Sequence, residues 1–370
     1  MVKLCSYDDY RSVIRNNPVI LFGAGKSARR IIETEKVNCR FLIDNNPALI
    51  GTSIVVGTQE LVIYSWEYYK KIAHDRDILL ITPIEGYTEI LNLIENDGYM
   101  DSCDIYVPAY IDAFQWDKDR ITVSKEPYSI TKKAHSVIPK RINYIWFSGD
   151  PFPDKVKKCM DSWHKYCPDY DFVEWNLDNY FTDSDFFNEA ISVRQWAFAS
   201  DYTRCDVLCR EGGIYLDTDV ELVKPLDDLL YDDGFLCFES SSGVDPGSGM
   251  ASVPNNPIFK EIRDQYESEH FIKDDGSYNK KNIVYTYTAV LERHGLISDG
   301  RYQIVDGIAV YPPLVFSPYS YMTGLTNCYE KTYAIHHWIS AWISDELRKE
   351  LEMKKRIFSR YYNEYNQRQS

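Results

Sequence analysis

Long apolar runs are missing from this sequence. No stretch approaches the roughly 18 apolar residues that a membrane-spanning helix needs, so we expect a chain that does not cross a bilayer. Basic residues are also scarce, since 41 Lys and Arg face 56 Asp and Glu and leave a formal net charge of −15. Binding to a nucleic-acid backbone needs basic patches, so we expect no nucleic-acid partner.

Paired cysteine motifs are absent as well. The nine cysteines include no Cys-x-x-Cys pair, which redox and zinc sites use, and no signal-peptide pattern begins the sequence. Disulfides form in oxidising compartments, whereas a reducing compartment leaves such thiols free. The sequence therefore predicts free thiols and a cytoplasmic location.

The composition that is present is typical of a folded α/β protein with two domains. Hydrophobic residues make up 44% and charged residues 26%, near the soluble average, and 370 residues exceed one ordinary domain. Strand and helix patterns alternate up to residue 112, turn polar, and restart near 138. We predict a Rossmann-like domain over 1–112, a linker over 113–137, a second α/β domain over 138–345 and a helical tail over 346–370.

A glycine motif opens the first predicted domain. Gly23-x-Gly25-x-x-Ala28 follows a strand pattern and matches the dinucleotide fingerprint, and Asp44 ends the next strand, where an acid would bind a ribose. This motif supports an alternative function, an NAD(P)-dependent oxidoreductase or epimerase with its nucleotide site at Gly23, Gly25 and Asp44. The only Tyr-x-x-x-Lys, Tyr128–Lys132, lies in the predicted linker rather than on a catalytic helix. The domain could equally bind a nucleotide sugar, a partner or nothing.

Five Asp-x-Asp sequences occur, and their context distinguishes one of them. Only Asp217-Thr-Asp219 ends an apolar strand pattern, here 214–220, and it follows Gly212-Gly213, a turn that lets the backbone leave the preceding helix sharply. Side chains two apart in an extended segment project to one face, so two carboxylates can bind one hard cation. The other four pairs are predicted to be solvated surface charge.

Asp201 and Arg204 lie on the predicted helix Val193–Arg210. Being three residues apart, they share a helix face, where an exposed pair would stabilise by roughly a few tenths of a kcal/mol. Near a diphosphate, the same arginine would form much stronger charge-assisted hydrogen bonds.

Four segments, in this order, resemble glycosyltransferase family 32. They are residues 138–149, with Trp146, then 200–204, 212–219 and 336–342. That family includes capsular-polysaccharide sugar transferases and yeast mannosyltransferases, and it resembles the catalytic domains of large clostridial glucosylating toxins. The resemblance covers about residues 138–345 and implies a GT-A-type nucleotide-diphospho-sugar transferase domain.

The resemblance also implies roles for single residues. The implied catalytic residues are Asp201, Arg204, Asp217 and Asp219. The implied donor-binding residues are Trp146, Asp201, Arg204, Tyr215, Asp217, Ser340 and Trp342, with Trp146 near the base. The implied metal ligands are Asp217, Asp219 and His337. Trp146 as a core residue and His336 and His337 as structural histidines remain open alternatives.

These roles predict a metal-dependent glycosyltransferase, and the family resemblance implies that it retains the anomeric configuration. A leaving nucleoside diphosphate gains negative charge, which a divalent cation neutralises, and two acids with one imidazole favour Mn²⁺, with Mg²⁺ as the second choice. By resemblance we expect a UDP-sugar donor and a glycan or lipid-linked oligosaccharide acceptor in capsular polysaccharide biosynthesis, while a protein acceptor stays open. The Gly-Pro that many relatives carry is missing after Tyr285–Thr288, which leaves the acceptor side open.

The tail is basic and aromatic. Residues 348–370 carry seven Lys or Arg against three Glu, together with Phe358 and Tyr361 among other large side chains. Such a helix could lie on an anionic membrane surface, which would make the protein peripheral at the inner membrane face, or it could pack as an ordinary terminal helix.

Overall fold

The computed structural model describes residues 1–339 and 345–369. These form two compact units, of which the first contains residues 1–117, 322–324 and 345–369, and the second contains residues 118–321 and 325–339. Both units mix helices with sheets that contain parallel strands, as the sequence predicted.

The first unit contains a six-stranded sheet. Its strands are β1 (Val19–Phe22), β2 (Cys39–Ile43), β3 (Ser53–Val56), β4 (Gln59–Tyr64), β5 (Asp77–Ile81) and β6 (Cys103–Tyr106). Its helices up to the unit boundary are α1 (Tyr7–Asn16), α2 (Lys26–Glu35), α3 (Trp66–Ile72), α4 (Tyr87–Asn96) and the start of α5 (Pro108–Ser124). The strand order is β3-β4-β2-β1-β5-β6, with only β3 antiparallel to its neighbour. All four residues of β1 are buried, as expected for a parallel strand covered on both faces.

The predicted linker starts too early. Residues 113–124 continue helix α5, in which Asp117, Arg120 and Ser124 are buried. Arg120 Nε donates to the Glu239 carbonyl at 2.8 Å, and Ser124 Oγ accepts from the Leu314 N–H at 3.0 Å. Polar composition alone does not distinguish a solvated linker from a helix whose polar side chains are buried and paired.

The second unit contains a seven-stranded sheet and a two-stranded ribbon. The strands are β7 (Arg141–Ile145), β8 (Asp171–Trp175), β9 (Gly213–Tyr215), β10 (Val220–Leu222), β11 (Gly234–Cys237), β12 (Met250–Ser252), β13 (Gln303–Val305), β14 (Ile308–Tyr311) and β15 (Ala334–His336). The helices are α6 (Asp154–Tyr166), α7 (Asp185–Ser192), α8 (Trp196–Glu211), α9 (Pro257–Glu267) and α10 (Ile283–Arg293). The sheet order is β13-β14-β11-β12-β9-β7-β8, and β10 pairs with β15 in the antiparallel ribbon.

The core of the second unit lies on both sides of β9. Ile214 belongs to one buried cluster together with Trp163 of α6, and Tyr215 belongs to the other, because successive side chains of a strand point to opposite faces. Trp163 is fully buried and donates its indole N–H to the Val220 carbonyl at 2.7 Å. This bond ties α6 to the start of the ribbon.

Two glycines join α8 to β9. Gly212 has φ +66 and Gly213 has φ +96, values that side-chain-bearing residues rarely adopt. A Cβ at Gly212 would lie 2.7 Å from Pro254 Cδ, and one at Gly213 would lie 2.8 Å from the Arg141 carbonyl oxygen. The turn therefore requires glycine at both positions.

The tail forms helix α11 (Asp345–Gln369). Phe358 and Tyr361 are buried, and both rings contact Tyr110 of α5 within the first unit. These two side chains are therefore unavailable to a membrane surface in this structure. No described helix is long and apolar enough to cross a membrane.

We predict that Gly213→Ala destabilises the second unit more than Gly295→Ala does. Gly295 has φ +98, almost the same as Gly213, but an added Cβ there meets nothing within 4 Å. Both changes carry the backbone strain of about 1–3 kcal/mol, and Gly213→Ala adds a steric clash worth about 1 kcal/mol or more. Calorimetric unfolding should show the lower midpoint temperature for Gly213→Ala. Equal midpoints would contradict the conclusion that the close contact at Gly213 excludes a side chain.

Candidate functional site

Several of the predicted site residues lie at one edge of the second unit's sheet. Strands β7 and β9 are parallel neighbours, so Trp146 after β7 and Asp217 and Asp219 after β9 emerge at the same edge. Strand β12 runs antiparallel to β9, so the loop that precedes it, 245–249, reaches this edge too. The Asp pair lies between β9 and β10 rather than inside the single strand 214–220 that the sequence predicted.

Arg204 joins two of the acids. Its Nη2 lies 3.2 Å from Asp201 Oδ1 and 3.3 Å from Asp217 Oδ1, and its guanidinium lies 4.9 Å from the centre of the Tyr215 ring. The Tyr215 hydroxyl donates to Asp217 Oδ1 at 2.6 Å. One guanidinium and one phenol therefore fix the orientation of Asp217.

Burial dominates the acid–base properties of this group. It raises the pKa of Asp201 to about 7, although Arg204 acts in the opposite direction. Burial also raises the pKa of Asp217, again against the attraction of Arg204. Two desolvated carboxylates that share one guanidinium are incompletely neutralised, so this group favours an additional positive charge.

His336 joins two further acids. Its Nε2 lies 3.3 Å from Asp219 Oδ1, and its Nδ1 lies 3.5 Å from Asp245 Oδ2 and 3.1 Å from Ser248 Oγ. Burial alone would lower the pKa of His336, but Asp219 and Asp245 raise it well above its ordinary value. Burial likewise opposes ionisation of Asp219, but His336 and the Ile339 N–H, which donates at 2.8 Å, leave the pKa of Asp219 below its usual range.

Asp217, Asp219 and His336 can together hold a metal ion. Each offers one ligand atom, and these atoms lie within 4.8 Å of one another. Two carboxylate oxygens and one imidazole nitrogen suit a divalent cation of the Mg²⁺ or Mn²⁺ type, whereas structural zinc usually takes more Cys or His. The donor set therefore fits the metal that the sequence predicted.

The structure brings His336, and not the predicted ligand His337, close to the Asp pair. His337 Nε2 lies 2.8 Å from Glu221 Oε2, while His336 faces the Asp pair. Strand β15 ends at His336, which pairs with Val220 in the ribbon, and successive strand side chains point to opposite faces. Ser340 and Trp342, the other residues predicted in this segment, lie outside the described residues.

Trp146 is partly exposed rather than a core residue. Its indole N–H donates to the Asp150 carbonyl at 2.7 Å, and its ring centre lies 4.8 Å from that of Phe152. The ring is thus held in place while part of its surface stays accessible, as a stacking platform requires.

Sequence reasoning missed the loop 245–249. Asp245 and Ser248 contact His336, and Gly247 packs so tightly that an added Cβ would lie 2.5 Å from Asp217 Oδ2. The Gly247 carbonyl also accepts from the Asp217 N–H at 3.3 Å. An Asp-Pro-Gly-Ser-Gly turn between two apolar strands is the signal that could have drawn attention to it.

The N-terminal motif is a tight turn. Gly23 has φ +106, and a Cβ there would lie 2.8 Å from Pro83, so the backbone requires this glycine. Nothing lies within 4 Å of a Cβ added at Gly25. Asp44 accepts from the Ala24 N–H and from the Asn46 N–H, both at 2.8 Å. Asp44 therefore connects two loops of the first unit.

Residues 153–236 match the family model described as "Glycosyltransferase sugar-binding region containing DXD motif". The matched segment includes Asp201, Arg204, Asp217 and Asp219. The chain therefore contains the sugar-binding region of a glycosyltransferase. This match gives no support to the NAD(P)-dependent alternative.

Two individual proteins are similar to parts of the chain. Subversion of eukaryotic traffic protein A of Legionella pneumophila is 26% identical over 169 residues, which are 37% of this chain and 26% of that protein. The chain thus spans about a quarter of the length of this curated relative. A solved structure, PaToxG Glycosyltransferase, is 22% identical with a TM-score of 0.36, over 50% of this chain and 80% of that one.

We predict that Gly247→Ala weakens divalent-cation binding. The backbone at Gly247 has no left-handed φ, so alanine adds no backbone strain there. Its Cβ would lie 2.5 Å from Asp217 Oδ2, 3.2 Å from Asp245 Oδ1 and 3.3 Å from Arg204 Nη1, so the Asp217 carboxylate must move. We expect Mn²⁺ affinity to fall about tenfold or more, about 1.4 kcal/mol, measured as a smaller Mn²⁺-dependent rise in melting temperature. Gly295→Ala is the control, and equal Mn²⁺ effects in the two variants would contradict the prediction.

Proposed function

We propose that this chain is a metal-dependent, retaining glycosyltransferase of the family 32 type. It transfers a sugar from a nucleoside diphosphate donor, with UDP favoured, to a glycan acceptor. One observation carries the proposal: Asp217 and Asp219 lie inside the matched sugar-binding region and meet His336 in a set of three ligand atoms within 4.8 Å. The ligand set suits Mn²⁺ best and Mg²⁺ next.

The strand orders support the proposed domain types. The first unit has the parallel strand order β4-β2-β1-β5-β6, which fits a Rossmann-like domain. In such a doubly wound sheet the second and third parallel strands are added on one side of the first strand, and the fourth and fifth strands are added on its other side. In the second unit two candidate ligands, Asp217 and Asp219, follow β9, a strand in the parallel part of a mixed sheet, which fits a GT-A-type transferase domain. A possible nucleotide site of the first unit, at Gly23, Gly25 and Asp44, remains part of the proposal.

The chain's own residues would prepare the donor for departure of its diphosphate. Asp217, Asp219 and His336 would hold the cation, which supplies charge stabilisation to the leaving diphosphate. Arg204, oriented by Asp201, would donate charge-assisted hydrogen bonds to diphosphate oxygens. Tyr215 keeps Asp217 turned toward the site, and Trp146 would stack on the base.

The proposed acceptor follows from the family resemblance. A glycan or lipid-linked oligosaccharide of capsular polysaccharide biosynthesis remains the proposed acceptor, with the enzyme in the cytoplasm or peripheral at the inner membrane face. The name of the Legionella relative concerns eukaryotic traffic, so protein acceptors belong in the same screen. Release of nucleoside diphosphate reports turnover whichever acceptor is used, water included.

We predict that Asp219→Ala abolishes Mn²⁺-dependent release of nucleoside diphosphate from one member of a nucleotide-sugar panel. Asp219 lies in the loop between β9 and β10, and its side chain contacts His336 and the Ile339 N–H rather than the hydrophobic core, so the variant should stay folded. The matched control is Asp183→Ala, which removes an exposed acid from another Asp-x-Asp sequence and should retain full activity. Full activity of Asp219→Ala, or no turnover with any donor in the wild type, would refute the proposal.

We predict that Trp146→Ala weakens nucleoside diphosphate binding by about 1–3 kcal/mol, the range for a base stacked on an aromatic ring. Trp146→Phe keeps a ring and should retain most of the affinity. Isothermal titration calorimetry gives the affinities, and thermal unfolding checks the fold. A variant with lower stability but unchanged affinity would assign Trp146 to packing instead.

A further inference from the structure

Asp245 is a buried acid that the proposed reaction does not yet use. Its side chain is 4% exposed, and both of its oxygens are engaged. Oδ1 accepts from the Gly247 N–H at 2.9 Å, and Oδ2 accepts from the Ser248 N–H at 3.0 Å and from the Ser248 hydroxyl. Three donor groups of its own loop thus fix this carboxylate in one orientation, with Oδ2 toward His336.

The directions of the hydrogen bonds determine which of the two ring nitrogens of His336 carries the proton when the imidazole is neutral. Ser248 donates its hydroxyl hydrogen to Asp245, so the Ser248 oxygen, 3.1 Å from His336 Nδ1, can only accept from that nitrogen. Asp245 Oδ2, at 3.5 Å from Nδ1, favours a proton there as well. Nε2 remains on the other side of the ring, facing Asp219 at 3.3 Å.

We propose that Asp245 is a positioning residue of the metal centre, which with Ser248 keeps the neutral His336 protonated on Nδ1 and leaves the Nε2 lone pair for the metal. An imidazole binds a metal through one nitrogen only, and an acceptor on the other N–H fixes the tautomer and the ring orientation. Stacking of the His336 ring on Trp338, with centres 4.1 Å apart, restricts rotation of the ring further. This inference rests on the proposed function because it requires a metal at Asp217, Asp219 and His336.

The test measures metal binding rather than turnover. In Asp245→Asn an NH₂ group replaces one oxygen, and because both oxygens accept from backbone N–H groups, it meets a donor in either orientation. We expect Mn²⁺ affinity, measured by electron paramagnetic resonance of free Mn²⁺, to fall about 10–100-fold. The ¹⁴N coupling of bound Mn²⁺ in the pulsed spectrum should weaken or disappear, which a purely structural role of Asp245 would not cause.

The matched control is Asp206→Asn. Asp206 is 5% exposed, like Asp245, and it accepts from the Tyr180 hydroxyl at 2.8 Å and pairs with Arg210 at 3.2 Å, none of which belongs to the site. Its Mn²⁺ affinity and ¹⁴N coupling should equal those of the wild type.

A second variant covers the case in which Asp245→Asn does not fold. Ser248→Ala removes the hydroxyl that contacts Asp245, His336 and the Ser317 hydroxyl. It keeps the backbone bonds to Asp245, so it should fold and bind Mn²⁺ several-fold more weakly. If every folded variant of this pair binds Mn²⁺ with wild-type affinity and ¹⁴N coupling while Asp219→Ala binds none, the positioning role is overturned and the proposed function stands. If Asp219→Ala also binds Mn²⁺ like the wild type, the metal site itself is wrong.

Discussion

The site depends on an excess of partly or fully buried acids over the cations that pair with them. The acids are Asp201, Asp217, Asp219 and Asp245, and the cations are Arg204 and His336. Each cation is shared between two carboxylates, an arrangement that leaves residual negative charge in a desolvated place. A protein tolerates residual negative charge of this kind where a bound positive ligand neutralises it. Several carboxylate oxygens close together are the ligands that a hard divalent cation prefers.

Backbone geometry produces this concentration of charge. The Gly212-Gly213 turn brings α8, with Arg204, directly into β9, so the helix and the Asp pair are close in sequence and in space. The other two residues come from more distant parts of the chain. Asp245 precedes β12, which runs antiparallel to β9 and so begins at the same edge of the sheet, and His336 ends β15 in the β10–β15 ribbon. The residues of the site are therefore brought together by three different secondary-structure contacts.

Local patterns in the sequence predicted the features that depend on neighbouring residues. The alternation of strands and helices indicated α/β units, and an apolar strand before Asp217 and Asp219 distinguished this pair from four others. Features that depend on contacts between residues far apart in the chain could not be predicted from these local patterns. Which of two adjacent histidines faces the site follows from the pairing of β15 with β10, and Ser248 meets His336 across 88 residues of sequence. Arg120 illustrates a different error, because its polar segment was predicted to be a linker although its side chain is buried.

At Gly247 the boundary of the site is formed by the main chain rather than by a side chain. Its Cα approaches the Asp217 carboxylate so closely that no side chain fits between them. A wall of this kind has the same shape and polarity whatever the neighbouring side chains are, so point substitutions cannot remodel it gradually. Any divergence in the sugar that such a site accepts would have to arise on the surfaces opposite this loop, where side chains rather than peptide groups form the boundary.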